Sequence, residues 1–264
     1  MKTGLVCILL AVSSVLFGAC SIQPARIPDP GIHSLSPGSP FEIRDLLSGL
    51  AERNSTLRTF KGVGRFTLWQ GGGIQTRQRA AWAGAVPGSF RMVVLASGRP
   101  VIKLACNGKW LTYHDLRPSP SVFSKVPVIN GSLKRLVSIP IRANDLLTLL
   151  TGRIPVHRHH SARFIRHETD EGDVLVLKKW WRIREKIHFT KNTNVPYKVE
   201  VFDLAGSLLY SAQLERIQQV DSFQIPMKIT ITDGTNQAGI QLIVDRYMPN
   251  VTVAESMFVL SPPG

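Results

Sequence analysis

Four histidines crowd one short stretch, His157, His159, His160 and His167. Metal binding is the chemistry such a cluster first suggests. The spacing matches no standard zinc pattern, and Arg153, Arg158, Arg163 and Arg166 in the same stretch would repel a cation. A basic, pH-sensitive surface loop without metal is the expectation. The other reactive side chains are Cys7, Cys20 and Cys106. Cys106 lies in the strand-like VIKLAC and has no intramolecular partner once the other two are accounted for, so it reads as a small buried hydrophobe. There is no Gly-x-Ser-x-Gly, no phosphate-binding glycine loop and no His-Glu-x-x-His. Carboxylates are few and scattered. The chain is therefore expected not to be an enzyme, with no catalytic residue and no cofactor.

Cys20 is different, because of what surrounds it. Lys2 precedes an almost wholly apolar run from Gly4 to Phe17, and Gly18 and Ala19 follow. A basic start, an apolar core and a small-residue site make a secretory signal. The run is shorter than the ~20 residues of a membrane span, and no later segment approaches that length. Leu16-Phe17-Gly18-Ala19-Cys20 resembles the bacterial lipobox, with Phe17 larger than usual at its position. The resemblance implies a diacylglycerol on the Cys20 thiol, removal of residues 1–19 and acylation of the new amine, by palmitate for example. Two or more chains anchor firmly where one does not. Ser21, not being aspartate, implies export to the outer membrane.

Residues 21–40 are rich in proline, serine and glycine and cannot build a core, so residues 20–40 read as a lipidated tether. One domain is expected over 41–264. Ser39-Pro40-Phe41-Glu42 is a capping-box signature. Ile43, Leu46, Leu47 and Leu50 continue it as an amphipathic helix of about 14 residues. Strand-like alternation follows in FKGVGRFTLWQ (60–70), TRQRAAWAG (76–84), FRMVVLA (90–96), VIKLAC and KWLTYHD, with Gly71–Gly73, Pro87-Gly88, Ser97–Pro100 and Asn107-Gly108 as turns. Residues 118–140 are irregular. ANDLLTLLT (143–151) reads as a short helix stopped by Gly152 and Pro155. Strands resume in DVLVLKKWWRIREKIHF, PYKVEVFD, SLLYSAQLERIQQV, IPMKITITD, GIQLIVDRYMPN and AESMFVLSPP. This spacing predicts an antiparallel meander, mainly β in an α+β class.

The capped helix, the meander, LLTGRIP (149–155), QIPMKITITD (224–233) and the closing FVLSPPG together resemble the LolA/LolB lipoprotein-carrier superfamily, and within it the LolB-like lipoproteins of the outer membrane. The resemblance implies a strongly bent antiparallel sheet forming an unclosed β-barrel, with helices plugging its concave face and an apolar space for acyl chains. It also implies a role in lipoprotein localisation or lipid transfer, with a periplasmic carrier protein as partner and a monomeric state. Phe66, Leu68, Trp82, Met92, Val94, Leu104, Met227, Ile229 and Leu242, together with Gly62 and Gly64, suit the inner face. The same residues equally suit a filled core, as in a structural or interaction lipoprotein of an envelope assembly. The turn Ser97-Gly98-Arg99-Pro100 departs from the family, whose membrane-inserting members carry an apolar side chain at the matching loop.

The chain holds 32 basic and 18 acidic residues, a formal net charge of +14 at pH 7. Such a balance favours anionic partners. For an exported lipoprotein these are lipid head groups and other anionic lipids, not nucleic acid. In WWRIREKIHF (180–189), Trp181, Ile183, Ile187 and Phe189 alternate with Arg182, Arg184, Lys186 and His188. The basic row is either a solvated outer face or a head-group docking surface, with Arg182, Arg184 and Lys186 as its contacts.

Overall fold

Apolar side chains at every second position leave most strands one face to bury, and the chain meets that need with one large sheet. The computed structural model describes residues 36–128, 133–134, 138–167, 172–191 and 193–262. Cys20, the signal and most of the tether lie outside these residues. The first half of the sheet comprises β1 (Ser36–Pro37), β2 (Thr59–Gln70), β3 (Gly73–Ala85), β4 (Ser89–Ala96), β5 (Arg99–Asn107), β6 (Trp110–Asp115) and β7 (Val122–Pro127). The second comprises β8 (Ser161–Arg166), β9 (Asp173–Lys179), β10 (Arg182–Phe189), β11 (Pro196–Phe202), β12 (Leu208–Val220), β13 (Phe223–Asp233) and β14 (Ala238–Pro249). Neighbouring strands are antiparallel, in the order β1-β8-β9-β10-β11-β12-β13-β14-β2-β3-β4-β5-β6-β7. Among the described residues β1 and β7 each have one neighbouring strand, so the sheet does not close. β14 pairs with β2 from Ala238↔Gln70 to Pro249↔Phe60 and joins the two halves.

The bend has a side-chain cause. Gly62 faces Trp82, Gly84 faces Phe60 and Gly239 faces Trp69 across paired strands. A Cβ at these glycines would lie 2.4, 2.4 and 1.9 Å from the opposing ring. Each ring thus fills the space that a side chain would occupy, and the strands curve around it. Gly62→Val is expected to cost about 1–3 kcal/mol by overpacking, read as a lower urea midpoint with an unchanged slope.

Two α-helices among the described residues cover the concave face. In α1 (Pro40–Glu52), the Ser39 hydroxyl accepts from the Glu42 amide at 3.2 Å, and Pro40 opens the first turn. The Glu42 carboxylate ion-pairs with Arg166 of β8. Leu46 and Leu50 are buried, with Ile43 and Leu47 beside them. In α2 (Ala143–Leu150), Leu146, Leu147, Leu149 and Leu150 are buried. Gly152, at φ +72°, ends it. Asn54 ties the pieces together: its amide donates to Thr151 O at 2.8 Å and Gln224 O at 2.9 Å, and its carbonyl accepts from Gln224 N at 3.0 Å. Tyr247, stacked on Phe60, donates to Leu150 O at 3.1 Å. No helix among the described residues is long and apolar enough to cross a membrane.

Four expectations are corrected. Residues 118–140 are not irregular throughout, since Val122–Pro127 form β7 against β6. Residues 173–189 are not one strand: Trp180, at φ +58°, turns the chain between β9 and β10. The closing AESMFVLSPP is not a strand but a 3-10 turn, Glu255–Phe258, with an extended tail. The Arg91 guanidinium holds it by donating to Met257 O at 3.0 Å. The turn at 97–100 is tighter than expected. Ser97 and Gly98, both at positive φ, make a two-residue hairpin loop, and Arg99 and Pro100 already belong to β5.

Candidate functional site

The inner-face residues converge as alternation demands. Phe66, Leu68, Trp82, Met92, Val94, Leu104, Ile229 and Leu242 are buried, and Met227 is half-buried against the same core. Phe66, Leu68, Met92, Val94 and Leu104 line one apolar hollow with Ile102, Tyr113 and Ile240 of the sheet. Leu146 of α2 and Leu133 complete its lining from the helix side. Its volume is about 30 Å³, room for roughly one water or methyl group. Trp82, Met227, Ile229 and Leu242 lie outside it; the Trp82 ring is spent over Gly62. The Tyr113 hydroxyl on the lining donates to Asp115 at 3.2 Å, and burial followed by the Asp115 charge pushes it up to about 12.

A second, larger hollow opens at the rim of the sheet, with a volume of about 1160 Å³. Leu47 and Leu50 of α1, Ile154, Val156, Leu204 and Leu209 give it apolar walls. Arg142, Arg153, Arg158, Lys179 and Arg184 give it positive charge. Asp145 and His157, also on its lining, belong to a buried polar cluster. His157 Nδ1 meets Glu185 Oε2 at 3.2 Å, and the His157 amide donates to the same oxygen at 2.9 Å. His157 Nε2 meets Asp145 Oδ2 at 3.3 Å, and the Tyr210 hydroxyl donates to that oxygen at 3.0 Å. Glu185 is 0% exposed, and its Oε1 has no hydrogen-bond partner. Burial alone would lower the His157 pKa, but the two carboxylates more than offset it and push it up to about 9. Imidazolium between carboxylates is thus the resting form, and the cluster pins α2 to β10 and β12. Tyr210, raised well above its ordinary range by burial and then by Asp145, donates as a neutral hydroxyl.

The histidine stretch therefore disperses. His159 Nδ1 donates to His157 O at 2.9 Å, His160 Nδ1 accepts from the Trp180 amide at 3.0 Å, and the His167 amide donates to Asp173 at 3.2 Å. Among the described residues no three His, Cys, Asp or Glu side chains are grouped to hold a metal. Cys106 is buried, and its thiol donates to Gly88 O at 3.1 Å.

The basic row of β10 is also broken. A bulge between Ile183 and Glu185 sets Ile183 opposite Lys178 but Glu185 opposite Leu177, so the two face opposite ways. Trp181 is 79% exposed instead of sharing a face with Ile187 and Phe189, and Glu185 takes the inner position. Arg184 turns to the groove and donates to Phe202 O. Lys186 sits over the Phe202 ring at 5.5 Å, beside the His188–Glu200–Lys198 cluster. Arg182 is exposed at the hairpin end. The buried cluster escaped the sequence reading, although a lone aspartate in ANDLLTLL and a glutamate in phase with Ile187 and Phe189 were its visible signals.

No protein-family model and no curated protein matches the sequence. Solved structures do match the fold. A DUF1329 family protein from Desulfovibrio piger aligns over 83% of this chain and 96% of its own, with a TM-score of 0.55 at 10% identity. A putative outer membrane lipoprotein-sorting protein domain from Vibrio parahaemolyticus aligns over 82% of this chain and 94% of its own, with a TM-score of 0.53 at 12% identity. A LolA superfamily protein from Nitrosomonas europaea aligns over 83% and 97%, with a TM-score of 0.49 at 14% identity. The chain thus shares the fold of the Desulfovibrio and Vibrio proteins: a bent, unclosed antiparallel sheet with helices on its concave face.

Proposed function

We propose that the protein is a lipoprotein of a Gram-negative envelope, anchored in the outer membrane through Cys20 and facing the periplasm. It takes acyl chains between its bent sheet and α2 and serves lipoprotein localisation or lipid transfer. A periplasmic carrier protein delivers the cargo to a monomeric acceptor, made of a cleaved signal at 1–19, a tether at 20–40 and the domain from 41 on. The observation that carries the reading is convergence: Phe66, Leu68, Met92, Val94 and Leu104 meet around one apolar hollow under α2. A fold shared with a protein described as lipoprotein-sorting supports it. An acyl chain contributes about 0.8 kcal/mol per buried CH₂. With about 30 Å³ open, entry requires Leu146 and Leu133 to move aside.

That small volume also favours a second reading, an interaction module with a filled core. Native mass spectrometry of protein taken from an envelope fraction separates the two. The carrier holds a co-purifying lipid, and Leu68→Glu or Met92→Glu loses it while keeping the fold by circular dichroism. A bare protein that also takes up no fluorescent fatty acid overturns the carrier reading.

A further inference from the structure

Two hairpins turn at one corner of the sheet, where the second hollow opens. Trp180 and Trp181 form the β9–β10 turn and are 64% and 79% exposed. Leu204, in the β11–β12 turn, is 64% exposed. Lys179 and Leu204 line the same groove, which places the two turns side by side. The Trp180 indole is held in place, since its ring lies 4.7 Å from that of His160 and the Trp180 amide donates to His160 Nδ1. Adjacent tryptophans presented to water cost solvation unless something covers them.

The charge around them is mostly positive. Lys178, Lys179 and Arg182 flank the turn in sequence, and Arg158 and Arg184 line the groove beside it. The nearby carboxylates are already engaged: Asp203 Oδ1 accepts from the Ala205 and Ser207 amides at 2.8 Å each, and Glu185 is buried against His157. Tryptophan ringed by lysine and arginine matches the boundary of a bilayer, where an indole keeps its ring in the acyl region and its N–H among head groups. Basic side chains there gain from anionic lipid.

We propose that this corner is a docking surface for an anionic lipid bilayer, with Trp180, Trp181 and Leu204 at the interface and Lys179, Arg182 and Arg184 against lipid phosphates. The proposal goes beyond acyl-chain binding and does not depend on it. The test uses the full chain reconstituted with vesicles whose lipids are brominated along their acyl chains, with tryptophan fluorescence as the readout. Fractional quenching is expected on vesicles containing phosphatidylglycerol, and weakening of several-fold on phosphatidylcholine alone or at high salt. Trp180→Ser/Trp181→Ser is expected to lose it. Lys179→Glu/Arg182→Glu, which keeps both indoles, is expected to lose the dependence on phosphatidylglycerol. Equal quenching in the tryptophan variant, equal quenching on neutral and anionic vesicles, or none on either overturns the proposal. The last result would point to an acidic protein as the partner. None of these outcomes touches lipid retention in the inner hollow.

Discussion

His157→Ala is expected to cost about 3–5 kcal/mol of stability, because it strands two buried carboxylates without their cation. Asp145 and Glu185 both point at the imidazole, and Glu185 has no access to solvent. The pH dependence carries the same signature. In the folded chain His157 holds its proton up to about pH 9, and the ordinary value is 6.5. The group's contribution is fully present below about pH 6.5 and fades as pH rises through about 9, since only the folded state binds the proton in between. A shift of this size corresponds to about 3 kcal/mol. Urea midpoints across that window are expected to fall in the native chain. In His157→Ala the fall over that window is expected to disappear. Adding Asp145→Asn and Glu185→Gln to the variant is expected to recover much of the loss. A native profile flat from pH 6.5 to about 9 would remove the imidazolium from the cluster.

Leu146→Ala is expected to pull stability and ligand uptake in opposite directions. Leu146 is 1% exposed and walls the inner hollow from the α2 side. Truncation of a buried leucine costs about 2–5 kcal/mol, growing with the cavity left behind. If α2 is what stands between an acyl chain and its site, the same cavity lowers the work of opening. The expected result is a lower unfolding midpoint together with tighter uptake of a fluorescent fatty acid. A filled, non-binding core gives the first effect without the second. Titration of the native and variant chains with the fatty acid, in parallel with urea melts, distinguishes them.

Much of the architecture is legible in the chain itself. Period-two alternation in FKGVGRFTLWQ and FRMVVLA puts Phe66, Leu68, Met92 and Val94 on the buried side, where they are found. Ser39-Pro40 starts α1 and Gly152 stops α2, both by local backbone chemistry. The misses have physical causes as well. Trp180-Trp181 turns the chain without glycine, proline or asparagine, using two residue types that favour strands. The bulge at Arg184 leaves no mark in composition, yet it reverses which side chains face inward above it. The Asp145–His157–Glu185–Tyr210 cluster joins residues up to 65 positions apart, a distance over which spacing carries no signal. Whether the hollow under α2 is open or filled depends on shifts of a few ångströms in Leu133 and Leu146, which no alternation pattern encodes.

The seam between β2 and β14 also governs the order of assembly. Phe60 pairs with Pro249 and Gln70 with Ala238, so the two halves of the sheet join only between segments far apart in sequence. Pairing between distant segments slows folding, because loop-closure entropy is lost before the contacts that offset it exist. Until β14 arrives, β2 shows an unpaired edge beside the buried row Phe60, Phe66 and Leu68, a template for wrong association. A chain without β14 therefore leaves the β2 edge open, and the two halves of the sheet cannot join.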